Sequence, residues 1–510
     1  MRTITTVCGL VLVLASLAYG ADIYITQNTS GAGTGVDCAN ARSAAWFNAN
    51  ATGGNTYHLC GTFTGAANST MLTIPVSGSL GNILYVLFET NAVLTSPQWS
   101  ANGAIYGSNK NYITIDGGTN GIIRNTDNGT LKTYHQYSTG VVLSGDNLVV
   151  KNLTINNIYQ NDGSTCYPAG TGDLAGALTW GISVASSTTG NITVDNNKVT
   201  GARAGIIVGF SNGGTNIEVK NNTLRKQCWG MYISANENSS GNVTISNFNV
   251  HNNDIGDFND WQYPGGACSP DYYHQDGIIV SGHGTITNTA INLYNNYIHG
   301  LKGGSVTGSL FCTWDGVLAP GPACNAWNNI FAPDATDGGV GNIVIGNSKT
   351  NYFYNNTIIA GGAGSSCFIF GNAGTHHLIN NICTNAKLGI ESWGGTWRLG
   401  TVDYNLWYDS CKLGHCWSDN VAYHDNITTW RAAGRDVHGY MTNPLFLSST
   451  DFQLQATSPA IDKGTSSISP LTFTTDNAGV ARPQGSAWDI GAYEFIGVKP
   501  LPPKNLKITP

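Results

Sequence analysis

Short apolar segments rich in glycine and β-branched residues recur along the chain, with polar residues between them. Four of them read AGIIVGF (Ala204–Phe210), WGMYIS (Trp229–Ser234), DGIIVSG (Asp276–Gly282) and CFIFGN (Cys367–Asn372). Segments this short, repeated at a short period with almost no helical periodicity, predict β-strands that stack as the coils of a solenoid.

Pairs of asparagine residues mark the same repeat, each with apolar residues close on either side. The second asparagine of each pair, and a single asparagine at the end of the series, lie at Asn197, Asn222, Asn253, Asn296, Asn329, Asn356, Asn381 and Asn405. The intervals range from 24 to 43 residues, as a repeat with insertions requires. Because stacked coils align like residues, we expect each asparagine to hydrogen-bond to the next one and to the backbone of its turn.

This pattern resembles the parallel β-helix proteins of the pectate-lyase-like superfamily, whose coils carry three short strands and whose turns often show asparagine ladders. The resemblance covers roughly Asn111 to Asn405. It implies an all-β fold, a right-handed parallel β-helix, with an N-terminal cap and a C-terminal closing segment. A coil stack grows lengthwise, so such a domain can exceed 400 residues without splitting into two cores.

The two ends of the chain differ from the repeat. Residues 1–20 combine one arginine, a short apolar run and small residues, which predicts a secretory signal peptide. Residues 21–54 are predicted to form the N-terminal cap, with a short helix around Ala41 to Asn48, and residues 55–495 the β-helix. Near the C-terminus, SPAIDKG (Ser458–Gly464) and ARPQGSAWDIGAYEF (Ala481–Phe495) resemble a closing motif of secreted bacterial β-helix proteins, and residues 496–510 read as a proline-rich linker.

Composition narrows the class of partner. The chain has 23 Lys+Arg and 30 Asp+Glu residues and no basic run, which argues against nucleic acid as a partner. No segment is apolar for long enough to predict a membrane span. Together with the signal peptide, these features predict a secreted or cell-surface protein, which we expect to be a monomer.

Twelve cysteines suit an oxidising compartment, and one of them leaves with the signal peptide. The close pairs Cys38 and Cys60, Cys312 and Cys324, Cys367 and Cys383, and Cys411 and Cys416 are candidates for disulfides, although spacing alone does not fix the connectivity. No zinc-ligand pattern occurs among them.

One side of three consecutive coils concentrates the charge of a chain that is only 10% charged. Aligning the strands on their glycines places Ala204, Trp229 and Asp276 in one column, about 5 Å apart from coil to coil. The longest interval in the repeat arises because the segment Gly256–Gln275 is inserted immediately before Asp276. Long excursions from a regular scaffold commonly carry function.

Carboxylates and aromatic rings in this segment predict a carbohydrate cleft. Hydrolysis of a glycosidic bond needs two carboxyl groups, one protonated and one ionised. We assign Asp276 as the acid, and Asp254, Asp257 or Asp271 could supply its partner. The sequence HQDG also resembles the Asn-Thr-Asp-Gly motif of polygalacturonase-type glycosidases, which implies a catalytic role for Asp276 but departs from the motif at His274.

The predicted site residues follow from this reasoning. Those predicted for catalysis are Asp276, His274, Asp271, Asp257 and Asp254, and those for substrate binding are Trp229, Arg203, Lys226, Trp261, Tyr263, Tyr272 and Tyr273. The few Lys and Arg residues favour a neutral or weakly charged polysaccharide as substrate, cleaved by a glycoside hydrolase without cofactor or metal.

Two alternatives remain open at the level of sequence. A polysaccharide lyase would use Arg203, Lys226 or Lys302 as its base, with calcium on Asp254, Asp257 and Asp260. A non-catalytic adhesin would bind glycans through exposed tryptophans such as Trp393, Trp397 and Trp407.

Overall fold

The described part of the chain folds into three parallel sheets. A computed structural model describes residues 20–130, 132–161, 179–210, 213–235, 243–258, 275–282, 286–287, 290–300, 306–312, 321–333, 341–362 and 364–497. Successive strands pair with the strand one coil further on, in parallel register, and one hairpin near the C-terminus is antiparallel. Since parallel crossovers are right-handed in nearly all proteins, this is the right-handed parallel β-helix that the repeat predicts.

Three sheets, numbered 1 to 3 in the order in which the chain visits them in each coil, contain these strands. Sheet 1 holds Arg42–Ser43, Asp22–Thr26, Thr56–Leu59, Leu84–Phe88, Ile113–Asp116, Leu148–Lys151, Gly190–Asp195, Gly214–Lys220, Val243–His251, Ala290–Tyr294, Ala323–Trp327, Thr350–Tyr354, Thr375–Ile379 and Arg398–Asp403, with Ile286–Thr287 beside Val243–His251. Sheet 2 holds Thr62–Thr64, Val93–Ser96, Ile122–Asn125, Thr154–Asn156, Asp254–Gly256, Tyr297–Gly300, Ile330–Pro333, Thr357–Gly362, Ile382–Ala386, Leu406–Tyr408 and Tyr440–Met441. Sheet 3 holds Leu72–Thr73, Ile105–Gly107, Ser138–Ser144, Thr179–Ser186, Gln275–Gly282, Val306–Cys312, Gly341–Ile345, Ser366–Phe370, Ile390–Ser392 and Trp417–Ser418, followed by the antiparallel Tyr423–His424.

Two long strands belong to sheets 2 and 3 at once. Lys198–Phe210 and Thr223–Ala235 pair with sheet 2 through their first residues and with sheet 3 through their last. In the next coil the same path is broken by the inserted segment between Asp254–Gly256 and Gln275–Gly282. The corner between sheets 2 and 3 is therefore a tight bend in two coils and the position of the insertion in the third.

The asparagine ladder is confirmed. The side-chain amide of Asn197 donates to Asn222 Oδ1 at 3.0 Å, and the same bond repeats from coil to coil as far as Asn405. Each amide also donates to a carbonyl of sheet 1, as Asn197 does to Val150 O at 3.0 Å. The first asparagine of each pair, for example Asn196 with φ 54°, takes the left-handed conformation that asparagine tolerates well. The two members of a pair thus have different roles.

The N-terminal cap contains a helix at Ala44–Asn50, slightly later than the predicted Ala41 to Asn48, after a 3₁₀ turn at Cys38–Asn40. Its start is fixed by Ser43, whose hydroxyl accepts a hydrogen bond from Trp46 N at 3.1 Å. The helix buries Phe47 against the first coils.

The C-terminal end contains a second helix, Ile427–Ala432, that the sequence pattern did not predict. It buries Trp430, whose indole donates to Asp436 Oδ2 at 3.0 Å. Asp436 also accepts from the side-chain amide of Asn405 at 2.9 Å, so this carboxylate ends the asparagine ladder.

The closing motif lies along the turn between sheets 1 and 2, in coils that precede the last one. The Arg482 guanidinium, fully buried, pairs with Glu494 at 2.7 Å and donates to Asn328 Oδ1 at 3.1 Å. Asn355 in turn donates to Asp489 O at 3.1 Å. These contacts fasten the motif to Asn328 and Asn355, the first asparagines of their pairs.

All four predicted disulfides form: Cys38–Cys60, Cys312–Cys324, Cys367–Cys383 and Cys411–Cys416. Cys228 is buried and remains a thiol. Within residues 20–497, outside the gaps given above, no helix is long and apolar enough to cross a membrane.

Candidate functional site

The column predicted from the glycine alignment is present in sheet 3. Ala204 pairs with Trp229, and Trp229 pairs with Asp276, in consecutive parallel strands. The side chains of Trp229 and Asp276 therefore belong to neighbouring coils, at the roughly 4.8 Å spacing of paired strands. This register confirms the column of residues that the glycine alignment predicts.

Trp229 forms the centre of an aromatic and cationic cluster. The Arg203 guanidinium lies over its ring, with Cζ 4.1 Å from the ring centroid, and Tyr232 stacks on it at 5.1 Å. The Tyr232 hydroxyl in turn lies 2.8 Å from Ser281 Oγ. Trp229 is only partly buried, and this cluster brings a positive charge against its indole ring.

Asp276 is buried beside this cluster, with 1% of its surface exposed. Its Oδ1 accepts a hydrogen bond from Gly308 N at 2.6 Å, where the strand pairing shifts register. Burial raises the pKa of the nearby Cys228 thiol to about 12, and the charge of Asp276 adds to this against the opposing effect of Arg203. Cys228 therefore stays protonated and is no nucleophile at neutral pH.

The bend between sheets 2 and 3 uses left-handed residues in successive coils: Gly201 (φ 75°), Lys226 (φ 57°), Asp257 (φ 57°) and Gly300 (φ 77°). Lys226 N donates to Asp257 O at 2.9 Å, so these two residues are stacked neighbours. A left-handed lysine costs about 1–2 kcal/mol, whereas glycine adopts this conformation freely. Lys226 is exposed at the bend, between Trp229 and Asp257.

The outer face of sheet 2 carries an ion network that reaches this bend. Asp254 accepts from His299 Nε2 at 2.7 Å through Oδ1 and from Arg225 Nη2 at 2.6 Å through Oδ2. Arg225 Nε also lies 3.4 Å from Asp257 Oδ2. Tyr297 stacks on the His299 ring at 4.1 Å. Two predicted aspartates, Asp254 and Asp257, are therefore joined through one guanidinium.

The charge state of Asp254 follows from these contacts. Burial alone would raise the pKa of its carboxyl group, but the hydrogen bond from His299 and the charge of Arg225 together hold it below its ordinary value. Asp254 is therefore ionised at neutral pH and could serve as a base or as an orienting group, but not as an acid.

Sequence reasoning missed Arg225, His299 and Tyr232. A signal for the first two was present, because each lies three residues after a ladder asparagine, Asn222 and Asn296. Aligning the strands of sheet 2 on the ladder asparagines would have placed Arg225 in the coil before Gly256 and His299 in the coil after it.

Six of the predicted residues lie outside the described part of the chain: His274, Asp271, Trp261, Tyr263, Tyr272 and Tyr273. Their roles stay predictions. Of the tryptophans considered for an adhesin, Trp397 and Trp407 are buried in the core, with 1% and 0% of their surface exposed. Those two rings therefore lie in the core and present no exposed face, unlike the partly buried Trp229.

Among the described residues, no three His, Cys, Asp or Glu side chains are grouped so that they could hold a metal ion.

Comparison with known proteins gave similarity to solved structures only. No protein-family model and no curated protein matches the chain. A pectate lyase, Pel9A, is 14% identical with a TM-score of 0.47, covering 94% of this chain and 97% of its own. A GH136 lacto-N-biosidase from Eubacterium ramulus is 12% identical with a TM-score of 0.44, covering 83% and 67%. An alginate lyase from Paenibacillus sp. str. FPU-7 is 13% identical with a TM-score of 0.35, covering 74% and 98%. All three TM-scores lie below 0.5, so these similarities give no information about substrate or mechanism.

Proposed function

We propose that the protein is a secreted glycoside hydrolase that cleaves internal bonds of a neutral or weakly charged polysaccharide. The reaction takes place at the corner between sheets 2 and 3. The observation that carries the proposal is the pairing of Trp229 with Asp276. In this proposal a sugar ring stacks on the aromatic face of Trp229, and Asp276, one coil away, protonates the glycosidic oxygen. Four disulfides suit an extracellular location.

Within this proposal Asp276 is the acid, a role that needs the protonated form of its carboxyl group. Trp229 and Arg203 hold the sugar beside it. The second group is drawn from the sheet 2 side of the bend, where Asp257 is the more exposed of the two described aspartates. Asp257 is aligned with Lys226 at the bend, three residues before the Trp229 level. An inverting hydrolase would need the two carboxyl groups about 6.5–9.5 Å apart.

An assay on a panel of polysaccharides tests the reaction class. A hydrolase releases reducing ends without a gain in ultraviolet absorbance, whereas a lyase leaves an unsaturated, absorbing uronate. We expect reducing ends only. A protein that binds glycans and cleaves none of them would favour the adhesin alternative.

Asp276→Asn tests the assignment of the acid. The substitution keeps the shape of the side chain and removes its transferable proton, so the rate should fall by roughly 10²–10⁴-fold while glycan binding changes little. Trp229→Ala is the matched variant, which should weaken binding through lost stacking. Equal rates for Asp276→Asn and the wild type would remove Asp276 from the mechanism.

A further inference from the structure

The His299 imidazole has one nitrogen fixed by its surroundings. Asp254 is ionised and can only accept a hydrogen bond, so the 2.7 Å contact places the proton of neutral His299 on Nε2. The other nitrogen, Nδ1, then carries a lone pair. An imidazole oriented in this way by a carboxylate is the usual arrangement of a proton-accepting histidine.

The surroundings of His299 hold the ring in place. A Cβ added at Gly256, in the preceding coil, would lie 3.0 Å from His299 Cε1 and 3.1 Å from Nε2, so the missing side chain makes room for the ring. Tyr297 covers one face of the ring. In the following coil, Ala332 occupies the position paired with His299 and brings no charge. Among the described residues, His299 contacts Asp254, Asp254 contacts Arg225, and Asp257 lies on the far side of Arg225.

Relative to Asp276, His299 lies on the other side of the bend between sheets 2 and 3. It aligns with Gly256 and Arg225 in the two preceding coils, four positions before the Trp229–Asp276 level. The bend at Lys226 and Asp257 falls between these two levels. A base opposite Asp276 would have to act across this bend, with room for a glycosidic bond and one water molecule.

We infer that His299 is the general base of the proposed reaction, oriented by Asp254, and that Arg225 fixes Asp254 in turn. The inference rests on the proposed hydrolase function and replaces an aspartate as the partner of Asp276. His299 Nδ1 removes a proton from water as the water oxygen bonds to the anomeric carbon. The glycosidic C–O bond breaks, and its oxygen takes the proton of Asp276. Proton exchange with solvent then returns both residues to their starting forms.

His299→Gln is the direct test, because glutamine can still donate a hydrogen bond to Asp254 but cannot accept the proton of water at neutral pH. We expect kcat to fall by roughly 10²–10⁴-fold with KM within a few-fold of the wild type. The decline of kcat/KM towards acid pH should also disappear, which a purely structural residue would not cause. Imidazole added to His299→Ala should restore part of the activity.

His251→Gln is the matched control. His251 Nε2 contacts Glu218 Oε2 at 2.8 Å and the ring stacks on Tyr294 at 4.6 Å, so it has the same chemical setting on sheet 1. This variant should keep the wild-type rate and pH profile. Asp254→Asn provides a second test. Without the carboxylate the proton of His299 is no longer fixed on Nε2, so kcat should also fall.

The outcomes separate the two proposals. If the wild type cleaves a glycan and His299→Gln keeps its rate and pH profile, His299 is not the base, while the hydrolase function stands. A wild-type protein that cleaves no glycan contradicts the proposed function, and with it the role of His299. The inference would also be overturned if His251→Gln lost as much activity as His299→Gln. The effect would then follow from the loss of any histidine–carboxylate pair on the outer faces of the sheets.

Discussion

Hydrogen bonds hold individual side chains in place in this fold. Some of these bonds repeat from coil to coil, and others occur only once. Asp146 is an isolated case, since its carboxylate is enclosed by the turn that leads from sheet 3 to sheet 1. It accepts from the backbone N–H groups of Ser187, Thr188, Thr189 and Gly190 and from the hydroxyls of Ser186, Ser187 and Thr188, at 2.8–3.2 Å. Burial would raise the pKa of Asp146, but these donors together hold it far below its ordinary value.

Asp146→Asn should therefore destabilise the fold. The asparagine side chain would place an NH₂ group against N–H and O–H groups that need an acceptor. The loss of charge-assisted hydrogen bonds should lower the free energy of unfolding by about 2–4 kcal/mol at pH 7. Because the folded pKa is depressed, the contribution of the carboxylate is present above its unfolded pKa, about 3.9, and is lost as pH falls towards the folded value. Chemical denaturation at pH 7 and at pH 3 should show the gap between variant and wild type narrowing in acid. An equal gap at both values would contradict the assigned charge state.

The asparagine ladder shows how an element-scale repeat assigns different roles to adjacent identical residues. Asn296 is fully buried; it donates to Asn329 Oδ1 at 3.0 Å and to Val250 O at 2.8 Å, and it accepts from the side chain of Asn253 at 2.9 Å. Asn295, its neighbour, has φ 54° and takes no part in that ladder. The sequence predicted the ladder because both residues recur, but the backbone conformation distinguishes them.

Asn296→Ala and Asn295→Gly should consequently differ in effect. The first leaves buried ladder groups without partners, which should lower the free energy of unfolding by about 2–4 kcal/mol. The second places glycine where a left-handed conformation is required and should change it by less than about 1 kcal/mol. Urea denaturation of both variants measures the difference. Equal losses would mean that the ladder bonds do not stabilise the stack.

At the scale of the whole molecule, the fold was predictable because a solenoid repeats its signal many times, whereas a site occurs once. Glycine alignment placed Trp229 beside Asp276, and cysteine spacing gave four disulfides. The sequence pattern did not reveal His299, because it contacts Asp254 only through the stacking of coils. The two residues are 45 positions apart in the chain. The path of the closing motif along Asn328 likewise depends on contacts between distant parts of the chain.

The central claim is that glycan binds and is cleaved at the corner of sheets 2 and 3, between Trp229 and Asp276 on one side and His299 on the other. A crystal structure of the Asp276→Asn variant with an oligosaccharide substrate tests it most directly. The account predicts a sugar ring against Trp229, a glycosidic oxygen within hydrogen-bond distance of Asn at position 276, and a water molecule between the anomeric carbon and His299 Nδ1. A glycan bound elsewhere, such as along the stacked rings of His251, Tyr294 and Trp327 on sheet 1, would contradict it.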